Sequence, residues 1–136
     1  MLKLIVGLKG SGKTKTIVEM ANARVDETDG SVVVIEKGAK LMHEIKHRAR
    51  LLDSDEYMIN NADMLYGFVA GNCGSNYDVT DIFIDSVLKI CNNDFGQFCK
   101  FLDCVIRFTE THNVDFVMTA SVASSDIPEK YRKYII

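Results

Sequence analysis

The segment that most constrains how this chain can fold is Gly7-Leu8-Lys9-Gly10-Ser11-Gly12, a glycine-rich stretch set between an apolar run and a helical pattern. Leu4, Ile5 and Val6 come before it. After it, Ile17, Met20 and Ala21, with the aliphatic stem of Arg24, recur near helical spacing. The pattern predicts a strand over Lys3–Val6, a loop over Gly7–Gly12 and a helix from Lys13 to about Val25. A strand that feeds a helix through a tight loop opens a βα unit, and the helix must then pack back onto a sheet. The next apolar run, Val32 to Glu36, is continuous and β-branched. Such runs belong to strands covered on both faces, as in parallel sheets.

The alternation continues along the chain. After a turn at Asp26–Gly30, spacing predicts a helix from about Ala39 to Leu52, with Leu41, Met42, Ile45 and Ala49 on one side. A short strand is expected at Tyr57–Ile59, a helix at Ala62–Ala70 and a polar loop at Gly71–Thr80. Asp81–Asp85 reads as a strand. Asn93 or Asp94 can cap a helix running to about His112, on which Phe95, Phe98, Leu102, Val105 and Ile106 share a face. Asp115–Thr119 is the last clear strand, and Glu129–Ile136 forms a short amphipathic tail. Five candidate strands alternating with helices predict an α/β fold around a mainly parallel sheet. At 136 residues the chain is expected to form one domain, residues 1–136.

Composition narrows the class. With 47% apolar and 26% charged residues the chain is neither disordered nor fibrous. No apolar run approaches the ~18 residues of a membrane helix, and no leader is evident before the glycine loop, so no membrane partner is expected. Cys73, Cys91, Cys99 and Cys104 include no Cys-x-x-Cys pair and read as small apolar residues in a reducing, cytoplasmic setting. Net charge is -3, which argues against general coating of nucleic acid. The charge is uneven, however: residues 1–50 carry 10 Lys/Arg against 6 Asp/Glu, and residues 51–136 carry 6 against 13.

The basic half contains the chemistry. Gly7 through Thr14 matches G-x-x-x-x-G-K-[ST], the Walker A pattern, in its required strand–loop–helix setting. Glycines allow the backbone to wrap close to anionic oxygens, and the loop amides of Gly7, Leu8, Lys9, Gly10, Ser11 and Gly12 can form a nest around them. The helix starting near Lys13 adds its positive end, worth ~0.3–1 kcal/mol per charge. Lys13 is expected to reach the β- and γ-phosphates of a nucleotide, and the Thr14 hydroxyl to bind Mg²⁺. Lys9, within the loop, and Lys15, just after Thr14, are further candidates for nucleotide binding.

A magnesium nucleotide also needs an acid at a neighbouring strand end, commonly acting through water. Asp85 ends the Ile82-Phe83-Ile84 run and fits this Walker B role, the alternative being a cap on the next turn. Asp81 begins the same strand and belongs at its far end. Ser86 follows Asp85, so no glutamate stands there to orient an attacking water. Glu36, at the end of the second strand, is the substitute candidate for the base, or else an exposed acid paired with a lysine such as Lys37. Thr119 and Ser121 lie at the end of the last strand, where ligands of open α/β sheets bind.

A second pattern, His43-Glu44-Ile45-Lys46-His47, matches H-E-x-x-H. Zinc proteolysis is not expected from it. No third ligand is singled out, and Lys37, Lys40, Lys46, Arg48 and Arg50 surround it with positive charge. On a helix, Lys40, His43, Lys46, His47 and Arg50 would form a basic face able to meet nucleic-acid phosphates or an acidic partner.

With Walker A, a Walker B candidate and five strands in this order, the chain resembles P-loop NTPases. It is similar to the branch with an added strand between the Walker A and Walker B strands, which includes RecA-like ATPases and thymidine-kinase-like proteins. Ile84-Asp85-Ser86-Val87 resembles the RecA Walker B strand, and Glu36 falls where that family carries its catalytic glutamate. The long helix leading into Val114–Ala120 resembles thymidine kinases, although their Asp-Glu pair and zinc cysteines have no counterpart here. The chain is also similar to short bacterial P-loop proteins sometimes labelled twitching-motility ATPases. The resemblance implies a three-layer fold with ATP and Mg²⁺ as cofactors, and Lys13, Glu36 and Asp85 as the catalytic set. It also implies a protein partner or second copy that completes the site, with Arg48 and Arg132 the candidates for reaching a neighbour. Three functions remain open: a slow or partner-activated ATPase, a non-hydrolysing nucleotide switch, and a small-molecule or nucleoside kinase with Gly71–Thr80 as its lid.

Overall fold

A computed structural model describes residues 1–136. Five strands, β1 (Leu2–Gly7), β2 (Ser31–Glu36), β3 (Arg50–Asp53), β4 (Val79–Ile84) and β5 (Asp115–Ser121), form one sheet in the order β1-β5-β4-β2-β3. Every pairing is parallel. β5 therefore lies between β1, which leads into the glycine loop, and β4, which leads into Asp85.

Side-chain alternation along the strands builds a core on each face, as the period of two requires. Val33, Ile35, Ile82, Ile84, Phe116 and Met118 point to one face. There they meet α2 (Ala62–Ser75), the short α3 (Val87–Ile90) and α4 (Phe95–Thr111). Asp94 caps α4 by accepting the Gln97 N–H, and the helix sets Phe98, Phe101, Leu102 and Val105 fully inward. Burying each of these contributes roughly 1.5–3 kcal/mol. Val32, Val34, Phe83 and Val117 point the other way, toward Ile17, Ala21 and Val25 of α1 (Lys13–Glu27) and toward Leu41, Ile45 and Ala49. Helical and turn layers on both sides of the sheet give the expected three-layer α/β fold.

Three elements differ from the sequence expectation. Residues 39–49 form successive turns, not a helix, and the chain is already extended in β3 from Arg50. Leu41, Ile45 and Ala49 are buried as their spacing suggested, but side chains from elsewhere capture the backbone groups a helix needs. Asn22 of α1 donates to the Glu44 carbonyl and accepts the Lys46 N–H, at 2.8 and 2.9 Å. The strand expected at Tyr57–Ile59 is a turn, because β3 takes the sheet edge beside β2 through the Glu36–Asp53 register. Residues 71–75 continue α2, and Val79–Thr80 already belong to β4.

The tail closes the outer edge of β1. After α5 (Glu129–Arg132), Tyr134 accepts the Leu4 N–H and Ile136 donates to the Leu4 carbonyl. Tyr131 is buried, and its hydroxyl donates to Asp103 at 2.6 Å. No helix is long and apolar enough to cross a membrane.

Candidate functional site

The glycine loop leaves β1 at Gly7, which is paired with Ser121, and enters α1 at Gly12. Gly10 and Gly12 have φ of 87° and 84°, in the left-handed region that side chains disfavour. Gly12 is the N-cap of α1. It offers no side-chain cap, and the first turn of α1 contains no acid. α2 and α4 are built differently: Asn61 and Asp94 cap them, each accepting an N–H from the first turn. The positive end of α1 thus lacks the polar side chain that such an end ordinarily acquires. Lys13 reaches back across the loop and donates to the Leu8 carbonyl at 3.0 Å, with the Ser11 hydroxyl at 3.5 Å. Leu8, Lys9, Ser11 and Lys15 are exposed.

The register of the sheet assembles the acidic side of the site. Ile84 is paired with Met118 and with Ile35, so Thr119, Asp85 and Glu36 follow side by side at the ends of β5, β4 and β2. By alternation they face the side of the sheet that carries α1. There the Thr14 hydroxyl donates to Asp85, 3.1 Å from Oδ2 and 3.3 Å from Oδ1. The Thr119 hydroxyl donates to Asp85 Oδ1 at 2.6 Å and accepts the Ser86 N–H at 2.7 Å. Ser86 has φ 60° and ψ 51°, a strained conformation for a residue with a side chain. Its bond to Thr119 helps hold it there. Thr119 therefore positions Asp85, a role the sequence does not reveal.

Glu36 is 3% exposed. Its carboxylate accepts the N–H groups of Lys40 and Leu41, at 3.1 and 2.9 Å, and so anchors the turn after β2. Burial raises its proton affinity, the two amide bonds oppose this, and the charges of Asp85 and Asp53 raise it further. It is not paired with Lys37, which instead bonds Asp55. Asp81 is the third residue of β4, which begins earlier than expected, and lies on the half of the strand remote from the glycine loop. It is 3% exposed and bound by Arg24 through Nε at 2.9 Å and Nη2 at 3.0 Å.

Two cavities meet at the site. The larger, about 640 Å³, is lined by the glycine loop, Lys13, Thr14, Thr119 and Ser121, and by lysines from several elements. The smaller, about 110 Å³, lies between Thr14, Asp85 and Glu36. Hydroxyl and carboxylate are hard oxygen donors that suit Mg²⁺, which keeps several waters and shares the rest of its shell with phosphates. No three His, Cys, Asp or Glu side chains converge to hold a metal alone. His43 and His47 are exposed on turns, so they do not share a helix face and the expected basic helix face is not formed.

The remaining candidates lie apart. Gly71–Thr80 spans the end of α2 and the start of β4, at the opposite end of that strand from Asp85, and cannot serve as a lid. Arg132 donates to the carbonyls of Ile127 and Ser125, and Arg48 to that of Thr28. Comparison with protein-family models and with curated proteins finds no match to this chain.

Proposed function

We propose that this chain is a P-loop protein that binds a magnesium-complexed nucleoside triphosphate, ATP, and hydrolyses it slowly unless a partner or second copy completes the site. The observation that carries the proposal is the convergence of three features of the Gly7–Thr14 segment with an acid from a distant place in the sequence. These are an uncapped helix N-terminus behind a glycine loop, Lys13 beside it, and the Thr14 hydroxyl bonded to Asp85, 71 residues away. Phosphates would take the α1 amides, and Lys13 would leave the Leu8 carbonyl for them. Thr14 and Asp85 would hold Mg²⁺, which neutralises charge developing on the phosphates. In hydrolysis a water would add to the terminal phosphorus as the bridging P–O bond breaks. Glu36 would accept the water's proton, and its raised proton affinity suits that role.

One observation favours a second reading, a nucleotide-dependent switch with little turnover. Both Glu36 oxygens already hold backbone amides, so its capacity as a base is divided between catalysis and anchoring the turn. Calorimetry with ATP and ADP, together with phosphate release from wild type and Glu36→Gln, tests the two. The ATPase reading predicts turnover that collapses in Glu36→Gln while binding persists. Binding of both nucleotides without release supports the switch, and absence of binding refutes both.

A further inference from the structure

Seven of the eleven lysines make no salt bridge, and five of those seven line the larger cavity. Three of the five, Lys9, Lys13 and Lys15, belong to the glycine loop and the first turn of α1. The other two come from elsewhere: Lys40 from the turn after β2, and Lys89 from α3. No acid lines that cavity. Lys40 and Lys89 also line the smaller cavity beside Thr14, Asp85 and Glu36, so both stand where the two spaces join. The Lys40 backbone N–H is fixed by Glu36, which places its side chain at the mouth of the metal side. Lys89 follows the strained Ser86 corner, itself held by Thr119.

Like-charged ammonium groups repel when gathered, and five around one acid-free space form an arrangement that a polyanion relieves and that suits a chain of phosphates. The loop and α1 amides suit the inner phosphates. A third phosphate would lie toward the metal side, at the junction that Lys40 and Lys89 flank. We propose that Lys40 and Lys89 are terminal-phosphate contacts supplied by the chain itself, and that they set its preference for nucleoside triphosphate over diphosphate. This rests on the nucleotide reading above and adds specificity contacts from outside the Gly7–Thr14 segment.

The test is calorimetric titration of ATP and ADP, each with Mg²⁺, into wild type, Lys40→Gln, Lys89→Gln and the double variant. Lys3→Gln and Lys133→Gln serve as controls for lost charge at unpaired lysines outside the cavity. Both cavity lysines are exposed, so folding is expected to persist, and circular dichroism checks it. Each single variant should weaken ATP about tenfold, consistent with loss of one charge-assisted bond, while ADP changes little. The controls should leave the ratio of ATP to ADP affinity unchanged. Equal loss for ATP and ADP, or no loss for either, overturns the assignment of these lysines. Lys13→Ala separates the two levels: unchanged affinities in that variant, or no binding by wild type, overturn the nucleotide reading and this proposal together.

Discussion

Replacing Thr119 with valine probes the acidic side of the site through a single hydroxyl. Thr119 is 1% exposed, and its oxygen makes two bonds, donating to Asp85 at 2.6 Å and accepting the Ser86 N–H at 2.7 Å. Losing a hydrogen bond to a charged group costs about 1.5–3 kcal/mol, and leaving a buried N–H unsatisfied costs about 1–3 kcal/mol. Asp85 keeps the Thr14 donor, and half-buried Ser86 remains within reach of water, so the sum falls toward the low end, about 2.5–4 kcal/mol. For a chain of this length that corresponds to a fall in Tm of about 10–16 °C. Thr119→Ser keeps the hydroxyl and should lose about 1 kcal/mol, the cost of a buried methyl. Urea and thermal unfolding of the two variants give the comparison. Thr119→Val within about 0.5 kcal/mol of wild type, or Thr119→Ser the more damaging of the two, would refute the reasoning.

Other expectations follow from the same geometry. Glu36 has a raised pKa in the folded state, so its contribution to stability is fully present below its ordinary value of 4.5 and is lost as pH rises through the folded value. Glu36→Gln should flatten that part of a stability-against-pH curve, and an unchanged slope would count against the assignment. Thr14→Ala should remove most of the Mg²⁺ dependence of ATP binding measured against EDTA while the metal-free affinity survives. Arg24→Ala leaves buried Asp81 without its main partner and should cost stability toward the low end of roughly 3–5 kcal/mol, because Arg24 itself is 35% exposed. Nucleotide affinity should not change in that variant, since the pair lies on the half of β4 remote from the glycine loop.

Some of this was legible in the residues and some was not, for physical reasons. The β1–loop–α1 unit was readable because its signals are local: an apolar run, glycines at fixed spacing and a helical period. The strand-end positions of Asp85 and Glu36 are readable because each follows a continuous apolar run, and parallel register then aligns strand ends. The helix expected over 39–52 failed because a spacing of four residues at Leu41, Ile45 and Ala49 also suits successive turns. Asn22 and Glu36, distant in sequence or outside the segment, decide between the two by taking its backbone groups. β3 was missed because four residues with only Leu51 and Leu52 apolar give almost no periodic signal. The gathering of Lys40 and Lys89 at the cavity junction, and the hold of Thr119 on Asp85, depend on tertiary placement and have no local signature.

The central claim is that the glycine loop and α1 bind the phosphates of a nucleotide. Titration of Mg²⁺–ATP into wild type and Lys13→Ala, with phosphate release followed in the same samples, tests it most directly. Binding at micromolar affinity that is lost in Lys13→Ala, with slow release confined to wild type, is the predicted result. Folded wild type that binds neither ATP nor ADP, or Lys13→Ala that binds as tightly as wild type, would contradict it.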